Sequence, residues 1–208
     1  MLKDICTEDL NLKNKEEENE SLGKPLKYYD VAVTFAEFPD EITLCVNITG
    51  CVCHCSQCSE PWLRPYVGTL LTNEEIDKLI AENPGITVFG LMGGDSDHKD
   101  VVRIAKYIHG KYPELKVGMY SGREFLGMEL LENLDLYKIG RWIMPKGPVE
   151  EWHQTNNGVL QFPWSNQLLF EKKEINGELV WMNVTHKFRK EKVGNPARFI
   201  ITAEDNKD

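Results

Sequence analysis

Apolar positions along this chain follow two periods, and the change from one to the other marks its elements. Tyr28-Tyr-Asp-Val-Ala-Val-Thr-Phe and Ile42-Thr-Leu-Cys-Val-Asn-Ile-Thr are short runs rich in β-branched and aromatic residues. They predict two strands joined across Phe38-Pro-Asp-Glu. The period then lengthens. Thr72-Asn-Glu-Glu75 reads as a capping box, Ile76, Leu79 and Ile80 share one helical face, and Asn83-Pro-Gly ends the helix. Ile86-Thr-Val-Phe-Gly-Leu predicts a buried strand, Val101, Val102, Ile104, Ala105 and Ile108 a second amphipathic helix, and Lys116-Val-Gly-Met-Tyr another strand. A helix over 124–133 and a strand near Leu136-Tyr-Lys-Ile-Gly complete the series. Strands alternating with helices of this length imply βαβ units and an α/β fold with a parallel sheet, whose ligands gather at the carboxyl ends of the strands. Three loops fall at such ends: one crowded with cysteines, Gly93-Gly94-Asp95, and Ser121-Gly122-Arg123.

The pattern weakens beyond residue 140. Pro145-Lys-Gly-Pro and Gln154-Thr-Asn-Asn-Gly are turn-rich, and residues 168–184 read as a β-hairpin through Asn176-Gly177. Residues 1–27 are charged, polar and poor in aromatics, which predicts a flexible arm; Cys6 lies in it as an incidental thiol. The expected organisation is an arm over 1–27, a body over 28–170, and a C-terminal β-hairpin extension and tail over 171–208.

The formal charge of -9, without a long basic run, argues against nucleic-acid or anionic-membrane partners and leaves small molecules and proteins. No stretch reaches the roughly 20 apolar residues of a membrane span. The first residues carry no basic region followed by an apolar run, so a cytoplasmic location is expected. Four of the 6 cysteines, Cys51, Cys53, Cys55 and Cys58, crowd into one short segment. That clustering favours metal ligation over a disulfide scaffold.

Cys51, Cys55 and Cys58 stand in the order Cys-x-x-x-Cys-x-x-Cys. Thiolates are the usual ligands of iron-sulfur clusters, and this spacing suits three corners of a four-iron cube with the fourth iron left open. Two closed readings compete. One is a structural zinc knot that recruits His54, although the chain has no second Cys-x-x-Cys knuckle to complete it. The other is a ferredoxin-like electron carrier with Cys53 or Cys45 as fourth ligand. Cys45 sits inside a strand, where a small buried hydrophobe is the ordinary reading. Cys53 is two residues from both Cys51 and Cys55, an awkward spacing for joint ligation of one cube. His54 is read as a loop-fixing hydrogen-bond donor; His98, His109 and His153 as surface residues; Trp142, Trp152 and Trp164 as packing; Asp97 as a favourable charge at a helix start; and Arg123 as an exposed helix-start residue or a partner for a cofactor carboxylate.

The cysteine triad after one strand and a Gly-Gly-acid loop after the next resemble the radical S-adenosylmethionine superfamily. Asn47-Ile-Thr-Gly-Cys-Val-Cys-His-Cys-Ser-Gln-Cys, Gly68-Thr-Leu-Leu-Thr, Leu91-Met-Gly-Gly-Asp, Tyr120-Ser-Gly and Trp164-Ser-Asn-Gln are similar, in order, to the activating proteins of anaerobic ribonucleoside-triphosphate reductase over roughly residues 30 to 170. The hairpin, which the family does not explain, reads from its own pattern as an appendage to the α/β body; the resemblance implies a partial (βα) barrel. It implies that Cys51, Cys55 and Cys58 bind a 4Fe-4S cluster and that S-adenosylmethionine chelates its open iron. Gly93, Gly94 and Asp95 would approach the methionine moiety, Asp95 serving its ammonium or local loop order. Gln57, Cys58 and Ser59 would approach the nucleoside, and Ser121 and Gly122 would reach the same ligand. The implied partners are the large reductase subunit, whose glycine would become a radical, and a low-potential donor such as reduced flavodoxin. Another glycyl-radical enzyme or a small-molecule substrate is the alternative. This chain departs from the family's pattern at Gln57, where glycine is common, at Cys53, which adds a thiol, and at Ser96, where proline is common.

Overall fold

A computed structural model of the protein describes residues 24–56, 58–142 and 167–188. Residues 1–23 with Cys6, Gln57, the stretch 143–166 with Trp152, His153, Trp164, Ser165 and Asn166, and residues 189–208 lie outside the described residues. Eight strands pair side by side: β1 (Lys27–Thr34), β2 (Thr43–Ile48), β3 (Thr69–Leu70), β4 (Val88–Met92), β5 (Lys116–Tyr120), β6 (Leu136–Ile139), β7 (Leu168–Ile175) and β8 (Glu178–Asn183). The helices α1 (Asn73–Glu82), α2 (His98–Lys111) and α3 (Met128–Asn133) separate β3, β4, β5 and β6. Across the sheet the order is β3-β1-β2-β4-β5-β6-β7-β8. Strands β2, β4, β5 and β6 run parallel, with antiparallel pairs on either flank.

The helix ends follow the expected chemistry. Thr72 caps α1, its hydroxyl accepting from the Glu75 amide at 3.2 Å. Asp97 caps α2 and accepts from the amides of Lys99 and Asp100 at 3.0 and 3.2 Å. The last helix is shorter than the expected 124–133: it begins after Gly127, which offers no side-chain cap, and Arg123 to Leu126 remain in the loop. The hairpin turns at Asn176 and Gly177, both with positive φ. It is continuous with the sheet, because β7 pairs with β6 from Leu168 to Glu171.

Alternation along the strands gives the sheet two different faces. Leu44, Val46, Phe89, Leu91, Val117, Met119 and Tyr137 join Ile76 and Leu79 of α1, Val101, Ile104, Ala105 and Ile108 of α2, and Leu130 of α3 in the main core. The opposite face carries smaller residues and a second cluster built around Phe38. Gly90 and Gly118 lie side by side in register on β4 and β5. A Cβ at Gly118 would meet the Phe38 ring at 2.5 Å, and one at Gly90 would meet it at 3.3 Å. The two missing side chains form the slot that accepts the Phe38 ring, which is 0% exposed and meets Tyr120 edge-on at 5.2 Å. Phe38 thus fills the base of this face and leaves the carboxyl ends of the parallel strands free.

Phe38→Ala is expected to destabilise the fold by about 3–5 kcal/mol, and Gly118→Ala by about 1–3 kcal/mol through overpacking. Urea unfolding midpoints check both. Near-parental stability of both variants would remove the plug from this account.

Candidate metal centre

The cysteine loop leaves β2 through Thr49 and Gly50 and is tied to the turn that follows it. The Thr49 hydroxyl donates to the Val67 carbonyl at 2.6 Å. The Gly50 and Cys51 amides donate to the carbonyls of Pro65 and Leu63, each at 3.1 Å. The Arg64 guanidinium then donates to the Cys55 carbonyl at 2.9 Å, and the Glu60 amide to the Cys58 sulfur at 3.4 Å. Amide donation to a ligand sulfur is one of the devices that set a cluster's potential. His54 is exposed, has a φ of 45°, and makes no side-chain hydrogen bond among the described residues. The loop-fixing donor is Arg64, where the sequence suggested His54.

The second loop follows β4. Gly93 and Gly94 have φ of 121° and 116°, a region L side chains rarely adopt. A Cβ on Gly94 would also meet a Val101 methyl at 2.8 Å, so this glycine lets the loop close onto α2. Asp95, 8% exposed, follows at once. Its Oδ1 accepts from the Ser121 hydroxyl at 2.7 Å and faces His98 Nε2 at 3.4 Å and Arg123 Nε at 3.6 Å. Its Oδ2 accepts from the Gly122 amide at 2.8 Å and from the Cys53 thiol at 3.2 Å. Of the two roles expected for this carboxylate, ordering the loops is the one these contacts perform. Burial raises the Asp95 pKa, but donation from His98, Ser121, the Gly122 amide and Cys53 outweighs it and holds the carboxyl below its ordinary value. Burial, then the bond to Asp95, pushes the Cys53 thiol up to about 12.

These loops enclose one cavity of about 550 Å³ at the carboxyl ends of β2, β4, β5 and β6. Cys51, Cys55, Cys58 and Ser59 line it from the first loop, Gly93, Gly94 and Asp95 from the second, and Ser121 and Gly122 from the third. The candidate residues that the structure describes therefore meet at one place. Gln57 lies outside the described residues. His98 and Arg123, read as peripheral, belong to the site through Asp95; the i,i+3 spacing from Asp95 to His98 is the signal that would have found the first. His109 likewise pairs, with Asp135 at 2.8 Å. Trp142, expected as packing, is 40% exposed and lines the cavity.

Two further residues of the wall had no motif to announce them. Lys138 on β6 lies over the Tyr120 ring, 3.6 Å from its centroid, and burial pulls its ammonium down to about 8. Cys45 also lines the cavity, its thiol pushed up to about 12 by burial.

Among the described residues no three His, Cys, Asp or Glu side chains converge as a ready site for a single metal ion. A four-iron cube asks for something different, since each thiolate takes its own iron at a separate corner. Three half-buried thiols on one cavity wall fit that demand, with Cys51, Cys55 and Cys58 the residues that would hold the cluster. The profile of the 4Fe-4S single cluster domain family matches residues 42–160, more than half of the 208-residue chain. The chain belongs to that family. No curated protein gives a significant match, and no solved structure does. The family match begins at Ile42, where the chain enters β2, and takes in the loops after β2, β4 and β5. Among the described residues, the cysteines of the first loop meet in the one cavity described above, which suits a single cluster. No described helix is long and apolar enough to cross a membrane.

Cys51→Ala, Cys55→Ala and Cys58→Ala are each expected to lose most bound iron and sulfide after anaerobic reconstitution, whereas Cys45→Ala is expected to retain them; metal and sulfide assays check this. Full loading in any of the three would remove that residue from the ligand set. Acid stability tests the clasp. A depressed carboxyl stabilises the fold above its unfolded pKa, near 4, and that contribution is lost as pH falls through the folded value. In cluster-free protein, Asp95→Asn is expected to lower stability at pH 7, and the gap to the parent to narrow below about pH 4. Urea midpoints across pH read the gap, and one that stays constant contradicts the assignment.

Proposed function

We propose that this single-cluster protein is a radical S-adenosylmethionine enzyme that activates an anaerobic ribonucleoside-triphosphate reductase by generating a glycyl radical on its large subunit. The observation that carries the reading is the meeting of the cysteine, Gly93-Gly94-Asp95 and Ser121-Gly122 loops around one cavity at the ends of adjacent parallel strands. In this reading the parallel strands and their helices form the partial (βα) barrel. When bound, the cluster supplies one electron to the sulfonium of S-adenosylmethionine, whose cleavage gives methionine and a 5′-deoxyadenosyl radical. The protein supplies placement, tuning and exclusion of side reactions.

Each part of the wall has its own task. Cys51, Cys55 and Cys58 would hold three irons of the cluster and leave the fourth open to the amino and carboxylate groups of the ligand. Gly93 and Gly94 take the positive-φ turn that brings their backbone to the cavity, Ser59 extends the wall toward the nucleoside, and Ser121 and Gly122 reach the same ligand. Asp95 fixes the mutual position of the loops. The hydrogen atom would come from a glycine of the reductase, which would become the stored glycyl radical, with 5′-deoxyadenosine as the by-product. A substrate presented by another protein suits a cavity that opens to solvent at the strand ends. A low-potential donor such as reduced flavodoxin returns the electron.

A second reading has its own support. Cys53 and Cys45 line the same cavity, so a fourth thiol is at hand for a closed electron-transfer cluster. One experiment separates the two: anaerobic reconstitution, reduction, and electron paramagnetic resonance with and without S-adenosylmethionine, with 5′-deoxyadenosine assayed in the same samples. The expected outcome is an altered signal and slow nucleoside release, both lost in the Cys58→Ala variant, followed by a glycyl-radical signal when the reductase is added. An unchanged signal with no nucleoside from a fully loaded cluster selects electron transfer.

A further inference from the structure

The cysteine loop contains one thiol more than an open cluster uses, and the structure gives that thiol a place of its own. Cys53 is 9% exposed although its neighbours Val52 and His54 face solvent. Its sulfur lies 3.2 Å from Asp95 Oδ2, the atom that also accepts the Gly122 amide at 2.8 Å. The slot is shaped by a missing side chain. A Cβ built on Gly122 would stand 2.6 Å from the Cys53 sulfur and 2.9 Å from its Cβ. The thiol is thus packed against bare backbone on one side and hydrogen-bonded to a buried carboxylate, which Ser121, His98 and Arg123 hold in place.

We infer that Asp95 and Gly122 act as positioning residues that hold the Cys53 thiol away from the cluster, so that the coordination site on the fourth iron stays open. The inference rests on the open-cluster reading above and deepens it. Thiolate ligation is favourable wherever a cysteine can reach an open iron, and Cys53 lies between two ligand cysteines in sequence. An open position in this loop therefore needs a competing partner for that thiol. Asp95 is the partner, and the hydrogen bond also fastens the middle of the cysteine loop to the second and third loops.

The test uses no S-adenosylmethionine, so its failure and that of the radical reading are distinguishable. Ferricyanide takes one electron from the resting cluster; an open iron then leaves as Fe²⁺, and the three-iron product has its own paramagnetic signal. A fourth thiolate resists this loss. Wild type and Cys53→Ala are expected to give equal three-iron yields. Asp95→Ala, which removes the acceptor, is expected to show a several-fold loss of that signal as Cys53 takes the iron, and the double variant Cys53→Ala with Asp95→Ala to regain the wild-type yield. Gly122→Ala, alone and with Cys53→Ala, repeats the comparison by closing the slot instead.

A higher yield in Cys53→Ala than in wild type, or loss of the cluster from Cys53→Ala, overturns the inference, because the thiol is then a ligand already. Wild-type yield in both Asp95→Ala and Gly122→Ala overturns it as well. Resistance in wild type that persists in Cys53→Ala reveals another fourth ligand and removes the open-cluster reading itself. Failure of either variant to load a cluster leaves the other pair, and the comparison of wild type with Cys53→Ala, to decide.

Discussion

The Asp95 carboxylate fastens three loops that the chain reaches at widely separated points, and the shape of the cavity depends on it. An ionised carboxylate this deep costs several kcal/mol unless its oxygens are satisfied. Here hydroxyl, amide and thiol donors come from the first and third loops, and His98 and Arg123 add positive-capable groups at the rim. The arrangement is mutually dependent. Ser121 also accepts from the Arg123 amide at 3.0 Å, and the Arg123 guanidinium returns to the Asp95 carbonyl at 3.2 Å. Removing the carboxylate strands donors on two other loops, which is why its effect is expected to exceed that of one lost hydrogen bond.

Around that junction the sheet divides its labour by side-chain alternation. Odd positions of β4 and β5, Phe89, Leu91, Val117 and Met119, bury against the helices, and the even ones point to the face that bears the cavity. On that second face residue size sets depth. Glycines at 90 and 118 admit Phe38 low in the sheet, whereas Met92 and Tyr120 at the strand ends rise beside the cavity. Tyr120 also reaches back to the Glu37 carbonyl through its hydroxyl, which links the wall of the cavity to the segment that carries the plug.

The fold was legible where local chemistry decides. Thr72 announced its cap and Asn176-Gly177 its hairpin turn, the change of period announced the strands and helices of the βα series, and Asp97, legible as a charge at a helix start, proved to be the cap itself. The two-residue β3 was not, since it exists through pairing of Leu70 and Thr69 with Lys27 and Tyr28 far away in sequence. The short α3 departed from expectation because apolar spacing through 124–133 says nothing of where a helix lacking a side-chain cap will start. In the site, spacing marks Cys51, Cys55 and Cys58, whereas Gly93-Gly94-Asp95 stands out through its position after a strand and not through the triplet itself. Cys53, His98, Arg123 and Lys138 acquire roles through what they meet in space. No spacing rule places a thiol beside Gly122.

The sequence distance spanned by the Asp95 clasp also orders events in time. Cys53 lies 42 residues before Asp95, and Ser121 lies 26 after it. A chain emerging from the ribosome carries its complete set of cluster cysteines long before the third loop exists, and closing contacts over such separations follows the local helices and turns. Until then neither Asp95 nor Gly122 engages Cys53, which stands free among the other loop thiols. In the open-cluster reading proposed above, maturation follows a polypeptide-first route: both crossovers dock, the clasp takes up Cys53, and the cluster assembles on a loop whose remaining cysteines are its ligands.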